Sequence, residues 1–79
     1  MADAAQPLTS LPLGGRATVA EIRLPAGSHS RLMEMGLIVG TPVELVRFAP
    51  LGDPVEIKVR GYHLTIRRNE ADQILVRAA

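Results

Sequence analysis

The stretch HSRLMEMGL, residues 29–37, places one histidine, one glutamate and two methionines within nine positions. Imidazole, carboxylate and thioether groups can all hold transition metals, provided they converge and match the metal in softness. At ~100° per residue on a helix, His29 and Met33 share one face while Glu34 points elsewhere. That pair could begin a two-ligand site for a divalent transition metal, which makes His29 and Met33 the metal candidates. A thioether suits copper(I) better than ferrous iron. The competing reading is structural, because methionines near a helix end commonly fill core space. His63, the other histidine, alternates onto the polar side of a strand beside Lys58, whose like charge opposes cation binding.

Catalytic chemistry finds little support. The chain has no cysteine, which removes thiol nucleophiles, disulfides, cysteine-held zinc and iron–sulfur clusters. It has no GxSxG, no HExxH and no phosphate loop with glycines and a lysine. Glu44, Asp53 and Glu56 are carboxylates on what read as polar strand faces and a loop. A non-enzyme is expected. Two stretches suit a partner contact instead. In APLGDP, 49–54, two prolines stiffen a loop that carries Leu51 at its tip, Gly52 supplies freedom and Asp53 can bond backbone amides of its own turn. In GLIVG, 36–40, three apolar residues between glycines cannot all point into a thin core, and Ile38 is the one expected to be partly exposed. Ile38, Leu51, Gly52 and Asp53 are therefore the partner-contact candidates.

These residues need elements to position them. VEIKVRGYHLTIR, 55–67, alternates strictly, and its parity flips at Arg60-Gly61. A two-residue turn there pairs Val59 with Tyr62, Ile57 with Leu64 and Val55 with Ile66, all on one face, with Lys58 opposite His63 on the other. RATVAEIRL, 16–24, reads as a strand, and the three-residue step from Val19 to Ile22 calls for a bulge. The stretch that follows reads as a short helix capped by Ser28 and ended by Gly36, with Leu32, Met35 and Leu37 inward and a Leu32–Leu37 contact closing a Schellman motif. VELVRF, 43–48, is a second strand, NEADQ, 69–73, a helical turn capped by Asn69, and ILVR, 74–77, a last strand. The expected fold class is all-β: a small closed barrel of about five short strands, with a short helix inserted after the first.

Length and composition set the bounds. Seventy-nine residues fit one small domain, expected over 8–79, with residues 1–7 as a disordered leader. The net charge is +1 and the only aromatics are Phe48 and Tyr62. Neither a basic field nor a stacking platform for nucleic acid is present. The N-terminus makes a poor signal peptide and no apolar run approaches the ~20 residues of a membrane helix. A cytoplasmic domain without direct membrane insertion is expected. Oligomeric state is not legible.

Two longer blocks carry a resemblance. RLMEMGLIVGTPVEL and APLGDPVEIKVRGYHLTIRRNEADQI resemble, in order and spacing, the pattern of the FeoA family from about Leu8 to Val76. The family pattern has an arginine-leucine helix, a methionine or leucine before GL, a GT turn, PLGDP, G-[YH]-x-L-x-[LI]-R and a closing EA. The resemblance implies an SH3-like β-barrel and a small cytosolic accessory protein of bacterial ferrous iron uptake, whose partner is the FeoB membrane transporter. Related SH3-like domains end iron- and manganese-dependent repressors, but this chain has no helix-turn-helix segment. The pattern contains no evident ligand set, so neither His29 nor His63 is carried over as a ligand. A direct metal-binding or metal-sensing domain stands as the alternative function.

Overall fold

Arg60 and Gly61 both have positive φ, 50° and 90°. Two consecutive positive φ values define the hairpin turn whose twist matches that of paired strands. Around it, β-hairpin pairing follows the alternation residue for residue: Val59 faces Tyr62, Lys58 faces His63, Ile57 faces Leu64 and Val55 faces Ile66. The computed structural model describes residues 5–78. In chain order it contains β1 (Gln6–Pro7), a 3-10 turn (Leu8–Ser10), β2 (Arg16–Ile22), α1 (Ala26–Glu34), β3 (Pro42–Phe48), β4 (Val55–Val59), β5 (Tyr62–Ile66), α2 (Arg68–Ala71) and β6 (Ile74–Ala78).

All strands join one antiparallel sheet in the order β1-β6-β2-β3-β4-β5. The expected bulge is present: the β2–β6 register shifts between Val19 and Glu21, and β3–β4 shifts again between Leu45 and Arg47. Each bulge increases local twist and bends the strand around the core. Val19, Val43, Leu45, Ile57, Val59 and Val76 are buried from the sheet side, with Leu32 and Leu37 covering them from α1 and the turn after it.

The all-β class with an inserted helix holds, and several details differ from the expectation. The sheet has six strands, and the long helix follows the second of them, because Gln6 and Pro7 pair with Val76 and Leu75. Those two residues belonged to the expected leader; residues 1–4 lie outside the described residues. A proline is tolerated there because β1 is an outer strand and its missing N–H breaks no interior ladder. Ser28 does not cap α1: the N-cap lies three residues earlier, at Pro25, whose carbonyl accepts from the His29 N–H at 2.9 Å. Asn69 does not cap α2, whose N-cap is Arg67. Tyr62 is not fully inward but 42% exposed.

Candidate functional site

The loop between β3 and β4 is built from its own backbone first. Ala49 N–H donates to the Pro54 carbonyl at 2.9 Å, and Gly52 N–H donates to the Ala49 carbonyl at 2.7 Å. Gly52 has φ +87°, and a Cβ there would stand 2.9 Å from Arg68 Nη1. The backbone conformation thus favours glycine, and a Cβ would in addition displace the Arg68 side-chain tip. The Asp53–Pro54 peptide is cis.

Arg68 then clamps the loop from outside. Its backbone N–H donates to Asp53 Oδ1 at 3.0 Å, its Nη1 donates to the Gly52 carbonyl at 3.4 Å, and its guanidinium lies 5.0 Å from the centre of the Phe48 ring. The Asp53 carboxylate therefore caps the first turn of α2 from a distant loop. Asp53 and Gly52 shape the loop, and Leu51 stands out from it with 96% of its surface exposed. Beside the loop, a groove of about 350 Å³ is lined by Phe48, Pro50, Pro54, Arg47, Glu56 and Thr65, among others.

The other end of β3 carries Ile38. Gly36 has φ +94° and ends α1 as expected: Leu37 N–H donates to the Leu32 carbonyl and Gly36 N–H to the Met33 carbonyl, both at 3.0 Å. This double bond pattern is the Schellman motif. Tyr62 Oη donates to the Met35 carbonyl and fastens this corner to β5. The turn that follows hangs on Thr41, fully buried, whose Oγ1 accepts from the Ile38 N–H at 3.3 Å and whose carbonyl accepts from Val19 N–H at 3.0 Å. Ile38 is 41% and Val39 59% exposed. Ile38 precedes Pro42, the first residue of β3, and Leu51 follows Phe48, the last. At ~3.3 Å per residue the strand between them spans roughly 20 Å, so the four partner-contact candidates do not form one patch. Leu51, Gly52 and Asp53 belong together and Ile38 stands apart.

His29 is half-buried and Met33 half-exposed on α1. Among the described residues no group of three or more histidine, aspartate or glutamate side chains converges on a point. Glu21, Glu44, Glu56 and Glu70 engage cations of the chain itself. Glu56 sits between Arg47, 2.8 Å away, and His63, 2.5 Å away; Arg47 first and His63 second hold its carboxyl below the usual range. The strand histidine thus meets Glu56 diagonally rather than Lys58 directly opposite. Glu70 Oε2 accepts from Arg31 Nη2 at 2.6 Å, which ties α1 to α2 and lowers the Glu70 carboxyl; Glu70 Oε1 is buried with no hydrogen-bond partner among the described residues.

Sequence reasoning missed Arg68, whose role depends on two loops meeting, and Val39, hidden in a run of apolar neighbours. Tyr62 had a signal, since a tyrosine hydroxyl on an apolar face needs a partner. Among the described residues no helix is long and apolar enough to cross a membrane.

The sheet order and the inserted helix define a small all-β domain with a loop at each end of β3. The FeoA domain model matches residues 6–78. This chain belongs to the FeoA family, and its fold is SH3-like. The FeoA protein of Chlorobium tepidum, solved in solution, is 42% identical with a TM-score of 0.89, covering 92% of this chain and 70% of that one. The Stenotrophomonas maltophilia FeoA, complexed with zinc and described as a prokaryotic SH3 domain protein and a candidate activating factor of ferrous iron transport, is 30% identical with a TM-score of 0.73, covering 92% and 88%. A Porphyromonas gingivalis protein described as a fusion of Fe(2+) transport protein A with the Fe(2+) transporter FeoB is 32% identical over 69 residues. That alignment covers 87% of this chain but only 8% of the fusion.

Proposed function

We propose that this chain is a non-enzymatic cytosolic accessory domain of bacterial ferrous iron uptake, which docks on a FeoB-type membrane transporter and modulates it. The observation that carries the reading is Leu51, 96% exposed on a loop held by two hydrogen bonds from Arg68, whose guanidinium also lies on Phe48 at the loop's base. An apolar side chain presented on a held loop spares the backbone ordering cost of binding and gains its burial. The fusion of both proteins in one Porphyromonas gingivalis chain supports FeoB as the partner. In this reading Leu51 is the anchor, Gly52 and Asp53 hold its loop, and Ile38 belongs to a separate surface. An affinity pull-down of the tagged domain from detergent-solubilised host membranes, repeated with Leu51→Asp, tests it. Enrichment of the transporter by the wild-type domain and its loss in the variant is the expected result.

A second reading, direct binding or sensing of a transition metal, draws on the zinc complex of the Stenotrophomonas maltophilia relative. It requires His29 and Met33 to recruit further ligands from a second chain. Anaerobic iron(II) calorimetry with a His29→Ala control decides it, and absence of heat at micromolar metal removes it.

A further inference from the structure

The outer face of the sheet, where β2, β3 and β4 run side by side, carries a second feature unused by the Leu51 tip. Cross-strand pairing puts Arg16 beside Glu44 and Glu44 beside Lys58 in one row, and Thr18 beside Pro42 in the next. Arg60, on the hairpin turn, lines the same groove. Together these residues line a groove of about 340 Å³. That volume lies at the small end of ligand sites, which run from about 300 to 1,000 Å³.

The charges of the groove are unbalanced. Its three cations, Arg16, Lys58 and Arg60, face one carboxylate, Glu44. Glu44 is already engaged by Arg16 at 3.5 Å. Lys58 and Arg60 form no ion pair among the described residues. The whole chain has a net charge of only +1, so this face concentrates positive potential that the rest of the surface cancels. Exposed Pro42 adds an apolar surface beside the cations.

We propose that this groove is a docking site for an acidic, extended peptide segment of a partner protein. Two carboxylates of the segment meet Lys58 and Arg60, and an aliphatic side chain beside them lies on Pro42. Charge complementarity selects the occupant. A nucleic acid is the less suitable polyanion, because three cations make a short track for a phosphate backbone and no aromatic ring stands in the groove for a base to stack on. The site lies at the Pro42 end of β3, away from Leu51, and does not depend on the identity of the Leu51 partner.

Amide chemical shifts of the isotope-labelled domain, followed during titration, test the proposal. The probes are an acetylated peptide Glu-Asp-Val-Glu-Asp, its neutral counterpart Gln-Asn-Val-Gln-Asn, and a short DNA duplex. The acidic peptide is expected to shift Thr18, Lys58, Arg60 and Gly61, with an affinity that falls as salt rises. Lys58→Gln and Arg60→Asn should each weaken it by about two- to fivefold, as expected for one exposed ion pair. Asparagine tolerates the positive φ at position 60, so that variant keeps the turn. Glu44→Gln should tighten binding, because it removes the repelling carboxylate and frees Arg16. Equal shifts from the neutral peptide, unchanged affinity in both charge variants, or tighter binding of the duplex would overturn the proposal.

Discussion

Replacing Gly36 with alanine tests how the helix is stopped and its corner fastened to the sheet. The position has φ +94°, where a Cβ costs roughly 1–2 kcal/mol. The new methyl would also collide with Tyr62 Oη. Relief requires the tyrosine to move and give up its bond to the Met35 carbonyl, worth about 1 kcal/mol. The expected loss is therefore about 2–3 kcal/mol. In a domain of this size each kcal/mol moves the midpoint by roughly 4–8 °C, so the midpoint should fall by roughly 10–20 °C. Thermal and urea unfolding of the wild type, Gly36→Ala, Tyr62→Phe and the double variant measure it. Tyr62→Phe alone should lose about 1 kcal/mol, and the double variant should be more stable than the two single losses predict, because the phenyl ring leaves room for the methyl. Additive losses, or a Gly36→Ala cost below about 0.5 kcal/mol, would refute the collision and the strained cap together.

Other outcomes follow from the same geometry. Ile57→Val, at a fully buried position of β4, should cost about 0.5–1.5 kcal/mol in urea unfolding without changing the fold. Arg68→Ala should leave the sheet intact but release the loop, read as increased amide exchange at Gly52 and weaker transporter binding with Leu51 untouched. The Glu70 carboxyl is lowered in the folded chain, first by its hydrogen bond from Arg31, so the unfolded chain binds the proton more tightly. Stability from this pair is complete above the ordinary carboxylate value, near 4.5, and is lost as pH falls below it. Arg31→Ala should flatten that acid limb of the stability–pH curve and leave stability above neutrality sloping as before.

The hairpin was legible to the residue because strict alternation has only one register that puts every apolar side chain on one face, and Arg60-Gly61 marks where the parity must flip. The end of α1 was equally legible, since Leu32, Gly36 and Leu37 supply all parts of the motif locally. The helix starts were not. Pro25 opens α1 with its backbone rather than a side chain, and α2 receives its cap from Asp53, fifteen residues earlier in the chain. Neither leaves a local signal. β1 was hidden for the same reason: Gln6 and Pro7 are extended only because β6 lies beside them. In the candidate site, the exposure of Leu51 could be read from its stiff loop, whereas the separation of Ile38 from Leu51 depends on which ends of β3 the two turns occupy. The same limit hid the loop-holding role of Asp53, whose Oδ1 accepts from the Arg68 N–H.

The most direct test of the account measures affinity between the purified domain and a detergent-solubilised FeoB-type transporter from the same host, with wild-type Leu51 and with Leu51→Asp. Leu51 makes almost no contact in the free domain, so the variant should unfold within about 0.5 kcal/mol of the wild type. Burying a leucine on docking is worth about 1.5–3 kcal/mol, so the variant should bind at least tenfold more weakly. Binding by the wild-type domain with a tenfold or greater loss in the folded variant is the result the account predicts. No wild-type binding, or equal affinity for both proteins, would contradict it.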